Sequence, residues 1–400
     1  MKKFIKHVLY LTMISFLIGY IYVNKEDVKN MVATIEIYSK AITITEYEYT
    51  EEFDINNIKV NTNNYYYKKL SDNQKTIYHS LANGIRELNK EIILKNYEYT
   101  DRQTSLEDVE LVFSYFCLDH PEVFYLNNSY TVSTVNSVLG SKITIEVSYS
   151  VESIDDLNAK VNKINDVIDS YLEDVEGKSQ MEAEIILHDN LAKNVVYYEY
   201  SDVENVPANC HTIEGAFLNH SAVCDGLSKA LQVLLSNAGM RNIIVLGKLE
   251  AAPHAWNMVK LDDKWYNLDI TSNKSIQLDL EENTVIHTYF NVSDEIINKT
   301  HTFDNKELLP VSENLNGRYN YYIYTNKYIS SEDNVKVKLK TIIEDNEDKD
   351  ILEFYTENTN NIQSNIYNTI ISANKTEYLK DRQFSYYNIL NTYIVLKNRN

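Results

Sequence analysis

The sequence predicts an α+β protein, in which a cysteine-bearing helix packs on an antiparallel sheet. An accessory region precedes this core and a small α+β domain follows it. Three observations predict this. Apolar residues recur at helical spacing in separate blocks, at Ile77, Leu81, Ile85 and Leu88 and again at Leu227, Leu231, Leu234 and Ala238. Two alternating runs flank Asp262-Asp263, the pattern of an antiparallel hairpin. Finally, 400 residues exceed one ordinary core, so two or three folded units are expected.

The first element lies at the amino terminus. Lys2, Lys3 and Lys6 precede an apolar run over residues 8–23. The run has about the length of a signal peptide and is slightly short for a membrane span. It ends Ile21-Tyr22-Val23-Asn24, with no small-x-small cleavage site and no lipobox cysteine. Residues 1–24 therefore read as an uncleaved anchor. It holds the membrane through residues 4–23, with the lysines inside and the carboxy-terminal body outside the cytoplasm. Secretion after signal cleavage is the alternative.

Residues 25–178 form the accessory α+β region. Residues 33–53 carry a strand pattern. Ser71 to Gln74 is a capping box that opens the first helix. A second helix runs from near Ser105 to Cys117 and stops before Pro121, because proline disfavours helix in the residue ahead of it. Cys117, among Phe113, Phe116 and Leu118, reads as a core thiol. Ile143, Ile145, Val147 and Tyr149 alternate as a strand, and residues 153–175 carry an amphipathic helix. The core, residues 179–304, opens with a second capping box from Ser179 to Glu182. The last unit, residues 305–400, reads as strand (321–324), helix (332–343), strand (351–355), helix (360–371) and strand (386–396). It holds no catalytic constellation.

Composition narrows the partners. A formal net charge of −20 argues against nucleic acid, which requires a basic surface. The 33 tyrosines read as compositional bias. Cys117, Cys210 and Cys224 are too few for a paired disulfide framework.

The chemistry concentrates after Ser221. Cys224 begins a helix that Gly239 stops. Free N–H groups and the dipole at a helix start favour a thiolate, the useful nucleophile. Asp225 opposes this, because its charge sits beside the thiol. Downstream, His254-Ala-Trp256-Asn-Met258 and Trp265-Tyr266-Asn267-Leu268-Asp269 flank the hairpin turn. With a two-residue turn at Asp262-Asp263, Leu261 pairs with Lys264, Trp256 with Asp269 and His254 with Thr271. His254 and Asp269 then lie diagonally on one face, within roughly 7–8 Å from backbone to backbone. A three-residue turn breaks this parity. Cys224, His254 and Asp269 thus compose a nucleophile, a base and an orienting carboxylate.

This order resembles the core of the transglutaminase-like superfamily, which shares the papain-type arrangement. The matching segments are Val223-Cys224-Asp225-Gly226, His254-Ala255-Trp256 and the strand ending at Asp269. The likeness extends over about residues 185–301, including His188-Asp189-Asn190-Leu191 and His287-Thr288-Tyr289-Phe290. Asp119-His120-Pro121-Glu122-Val123-Phe124-Tyr125 resembles an accessory region of bacterial surface members. The resemblance implies a Cys224–His254–Asp269 triad acting on a peptide or protein substrate, such as a cell-wall or surface protein, with no cofactor. Transglutaminase and peptidase or amidase chemistry stay open, as does a non-catalytic module that binds or assembles on the same scaffold.

Other residues carry alternative readings. Cys210, His211, His220 and Cys224 fit no familiar zinc spacing, so no metal is expected. A Cys210–Cys224 disulfide is conceivable in an oxidising compartment. Trp256 and Asp225 are substrate-cleft candidates. No nucleotide motif, phosphate loop or calcium loop is visible.

Overall fold

The computed structural model describes residues 64–396, apart from 138–139, 200–204, 275–283, 314–316, 347–348, 350, 374, 376–377 and 379–384. The expected anchor and the strand expected within residues 33–53 lie outside the described residues. Among the described residues, no helix is long and apolar enough to cross a membrane. The fold is α+β, and packing divides the chain into two compact units.

One unit comprises Ser71–Val112 and Ser129–Ser148. Here α1 (Asp72–Arg86) starts at a complete capping box. The Ser71 hydroxyl accepts from the Gln74 N–H, and Gln74 Oε1 accepts from the Ser71 N–H at 3.0 Å. Ile77, Leu81 and Ile85 form the buried stripe of α1. Then come β1 (Glu91–Ile93), α2 (Arg102–Asp119), β2 (Leu126–Ser137) and β3 (Gly140–Tyr149), with the sheet in the order β1-β3-β2. The last residues of α2 belong to the other unit, and the helix ends two residues before Pro121.

The other unit holds Phe113–Asn128 and Tyr149–Asn400, together with residues 64–70. It opens with α3 (Ile154–Glu173) and α4 (Gln180–Asn194), the latter capped by the Ser179–Glu182 box. A short parallel pair, β4 (Val196–Tyr197) and β5 (Ser221–Ala222), brackets α5 (Ile213–Leu218). Next is α6 (Cys224–Asn237), followed by β6 (Arg241–Leu249), β7 (Ala252–Leu261) and β8 (Lys264–Leu268). Then come α7 (Ile270–Asn273), α8 (Asp294–Ile297) and β9 (His301–Phe303). The four strands form an antiparallel sheet in the order β8-β7-β6-β9. Two hydrogen bonds fasten α6 to β7. Ser228 Oγ donates to the Ala255 carbonyl at 3.1 Å, and Asn257 Nδ2 donates to the Ser228 carbonyl at 3.0 Å.

Asp262 and Asp263 take φ of 45° and 63°, the left-handed pair that a two-residue hairpin turn requires. Leu261 pairs with Lys264. The ladder stops at Asn257↔Leu268, so the expected pairs Trp256–Asp269 and His254–Thr271 do not form. The reason is local. Asp269 leaves the strand to cap α7, accepting from the N–H groups of Thr271 and Ser272.

The carboxy-terminal segment holds α9 (Tyr321–Tyr324), β10 (Tyr328–Ile329), α10 (Val335–Asp345), β11 (Ile351–Thr356), α11 (Ile362–Ser372), β12 (Tyr386–Ile389) and β13 (Thr392–Leu396). Its sheet runs β10-β11-β13-β12, and Leu339, Phe354 and Ile366 are among the residues of its buried core. Two expectations are corrected here. Residues 321–324 are helical rather than a strand, because Asn320 caps them, its Oδ1 accepting from the N–H groups of Tyr322 and Ile323. Residues 386–396 are a hairpin rather than one strand, because Leu390 and Asn391 take φ of 48° and 68°.

Candidate active site

Cys224 is the first residue of α6 and is partly exposed. The N-cap Val223 has no capping side chain, and within the first turn the Gly226 N–H donates to Asp225 Oδ1 at 3.0 Å. The approach of this first turn to its neighbours depends on Gly226. A Cβ there would run into the Cys210 carbonyl oxygen and stand 3.1 Å from Ala222 Cβ. The backbone N–H of Val223 donates to that same Cys210 carbonyl at 3.0 Å.

His254, near the start of β7, is 7% exposed. Its Nε2 meets Asp269 Oδ2 at 2.9 Å, and Cys224 acts on the ring from the start of α6. Nε2 serves the carboxylate, which leaves Nδ1 for the thiol. Burial works against a charged ring here. The Asp269 carboxylate and Cys224 outweigh it and push the His254 pKa up to about 10. Asp269 is wholly buried, and all its lone-pair directions are used. Oδ1 accepts from the Thr271 and Ser272 N–H groups at 3.0 and 3.1 Å; Oδ2 contacts His254 and His301. Burial opposes its ionisation, yet His254 and His301 hold it well below the usual carboxylate range.

His301 is the residue that sequence reasoning missed. Its Nε2 lies 3.0 Å from Asp269 Oδ2 and its Nδ1 lies 2.9 Å from Thr300 Oγ1. It reaches the site because β9 adds to the far side of β6, pairing Leu249 with His301 and Gly247 with Phe303. The only hint in the sequence was a histidine at the end of the segment resembling the family. Gly247 makes room for this layer. It pairs with both His254 and Phe303, and a Cβ there would meet Thr302 O and come within 2.9 Å of Trp256 Cη2.

Trp256 is not a cleft residue, contrary to the expectation. Its ring is fully buried against Phe303 at 5.0 Å and lies edge-on to His301. Its indole N–H donates to Asn267 Oδ1 at 3.1 Å. Trp256 therefore backs the histidines and offers nothing to a substrate. Asp225 is partly exposed beside Cys224, but its carboxylate is engaged. Oδ1 meets His211 Nδ1 at 2.9 Å, and Oδ2 meets Lys229 Nζ at 3.5 Å. Burial opposes its charge, and Lys229 and His211 lower its pKa nonetheless. The carboxylate expected to trouble the thiol thus has Lys229 and His211 as its partners.

Cys117, Cys210 and Cys224 are all free thiols. Burial pushes the Cys117 pKa up to about 11, against a small opposing effect from Lys229. Burial also raises that of Cys210. The set Cys210, His211, His220 and Cys224 is not gathered into one donor cluster among the described residues.

Two other sets do bring metal-type donors within 4.8 Å of one another: His254, Asp269 and His301, and His188, Asp189 and His287. In each, nitrogen and carboxylate oxygen stand 2.9–3.0 Å apart as hydrogen-bonded pairs. Ligands around a tetrahedral zinc stand roughly 3.3 Å apart. Both sets are therefore shaped as hydrogen-bond clusters. The second extends to Glu353 through His287 Nδ1 at 2.6 Å, and to α7 through His188 Nε2 and Asn273 Nδ2 at 3.1 Å.

No family model and no curated protein matches the chain. Among solved structures, it is similar to a transglutaminase (16% identity, TM-score 0.27) over 48% of this chain and 52% of that one. It is also similar to a candidate cysteine protease from Cytophaga hutchinsonii (11% identity, TM-score 0.23), over 36% of this chain and 62% of the other. A third is a candidate protease from Parabacteroides distasonis (11% identity, TM-score 0.22), matched over 36% of each chain. Each match spans less than two thirds of the other protein.

Proposed function

We propose that the chain performs thiol-dependent acyl transfer or hydrolysis on peptide or protein amides, with Cys224 as nucleophile. The protein works outside the cytoplasm, held at the membrane by its amino-terminal segment. The observation that carries this reading is that His254 is hydrogen-bonded to the buried Asp269 and is acted on by the partly exposed Cys224 thiol.

In the reaction, Cys224 Sγ attacks the amide carbonyl carbon, with His254 holding the thiol proton. Asp269 fixes the ring and stabilises its charge. The Cys224 N–H, at the first helical position, supports the developing oxyanion. The C–N bond then breaks. His254 returns the proton to the leaving amine, and a thioester on Sγ remains. Water resolves the thioester to an acid; a second amine resolves it to a new amide.

The test is a screen of the full-length protein for incorporation of a dansylated diamine into casein and for cleavage of casein-derived peptides. Either activity is expected, and Cys224→Ala abolishes it. Activity that survives Cys224→Ala overturns the reading. No activity in the native protein favours the binding-module alternative.

A further inference from the structure

Asp269 Oδ2 receives two imidazoles, and only one of them belongs to the acyl-transfer reading. The other, His301, is buried to 1% exposure, so it is out of reach of a substrate. Its surroundings fix which nitrogen carries a proton. The Thr300 hydroxyl lies 2.9 Å from His301 Nδ1 and has its other polar neighbour in the Tyr289 hydroxyl at 3.1 Å. The Ile297 carbonyl is a poor competitor at 3.5 Å. Asp269 Oδ2 can only accept, so His301 Nε2 carries the proton between them, and Nδ1 faces the Thr300 hydroxyl. The result is a chain of hydrogen bonds: Tyr289, Thr300, His301, Asp269, His254.

We propose that His301 is a positioning residue that shares Asp269 Oδ2 with His254 and so sets how tightly His254 holds its proton. This deepens the acyl-transfer reading and rests on it for its catalytic meaning. The physical reason is competition. Two N–H donors on one oxygen divide its charge, and each receives less than a single donor would. A histidine that must both take and return a proton works best when that proton is not held too firmly. A lone buried carboxylate would hold it more firmly than a shared one.

The groups able to disturb this balance are few. Cys224 faces His254 from α6, Asp269 faces both rings, and His188 acts on Asp269 from α4. Tyr289 reaches His301 edge-on at 5.3 Å, and Glu250 acts on Tyr289. From β6, the paired positions Gly247 and Leu249 bring no charge.

The experiment follows the ε1 carbons of ¹³C-labelled histidines in the full-length protein by NMR against pH. The His254 signal is assigned through His254→Gln. Removing the shared donor in His301→Phe raises the His254 midpoint by about one pH unit, ten-fold in proton affinity. His301→Gln keeps an N–H at the same reach and returns the midpoint close to native. Thr300→Val frees the His301 tautomer without touching Asp269 and shifts the midpoint upward by a smaller amount, which covers a His301→Phe chain that does not fold. An unmoved or lowered midpoint in both His301→Phe and Thr300→Val overturns the proposal, as does failure of His301→Gln to restore it. None of these readings needs turnover, so an inert Cys224 defeats the acyl-transfer reading while the coupling between the two histidines is still decided.

Discussion

Glu353 Oε1 accepts a hydrogen bond from His287 Nδ1 at 2.6 Å across 66 residues of chain, joining β11 of the carboxy-terminal sheet to the segment after α7. The His287 N–H and the Tyr322 hydroxyl bond Oε2 of the same carboxylate. The predicted outcome is that Glu353→Ala, which leaves the buried His287 imidazolium with Asp189 as its one carboxylate partner, costs about 3 kcal/mol in urea unfolding. Alkali should act on the same pair. Burial disfavours a charged His287, but Glu353 and Asp189 outweigh it and raise its pKa to about 9. The folded state therefore holds the proton that the unfolded chain releases near 6.5. The stabilisation is complete below about pH 6.5 and is lost as pH rises through 9. His287→Gln should flatten that fall in stability.

Glu184 provides a second pH test with a different origin. Its side chain is fully buried, with Oε2 accepting from Asn291 at 2.8 Å, and burial pushes its pKa up to about 8. The folded state keeps this group protonated after the unfolded chain has lost its proton. Native stability thus falls between about pH 4.5 and 8, by up to about 5 kcal/mol. Glu184→Gln keeps the shape and removes the titration. Thermal melts should show the variant clearly more stable than native at pH 8 and close to native at pH 4.5.

Gly226 links packing to the nucleophile. An added Cβ collides with the Cys210 carbonyl, which is backbone and cannot swing away. Gly226→Ala should therefore cost about 1–3 kcal/mol and displace the first turn of α6. Iodoacetamide labelling of Cys224 should change in the same variant. An unaltered melt and labelling rate would show that the turn has slack.

The sequence made the elements of the site readable, and the joins between them less so. Helix α6 announced itself through Leu227, Leu231 and Leu234, and the hairpin turn through Asp262-Asp263. Both capping boxes were visible because their partners are three residues apart. Asp269 was harder. Its place near His254 followed from strand parity, but its release into α7 depends on its own side chain capping the next turn, which overrides a strand pattern. Trp256 looked available because an indole in a conspicuous motif carries a polar handle. Asn267, eleven residues on, had already taken that handle. His301 was beyond reach, because its contact with Asp269 depends on β9 joining the edge of a sheet at β6, where His301 pairs with the distant Leu249. The strand expected at 321–324 failed for the opposite reason. A tyrosine-rich run favours strand by propensity, and the single cap at Asn320 decided otherwise.

The most direct test of the central claim is the rate at which iodoacetamide alkylates Cys224 in the reduced, full-length protein, resolved from Cys117 and Cys210 by peptide mass spectrometry. A thiol activated by His254 reacts ahead of Cys117 and Cys210, and His254→Ala slows it at least about ten-fold. Equal rates at Cys224 in the native and His254→Ala proteins, or a Cys224 that stays unmodified after reduction, would contradict an activated nucleophile.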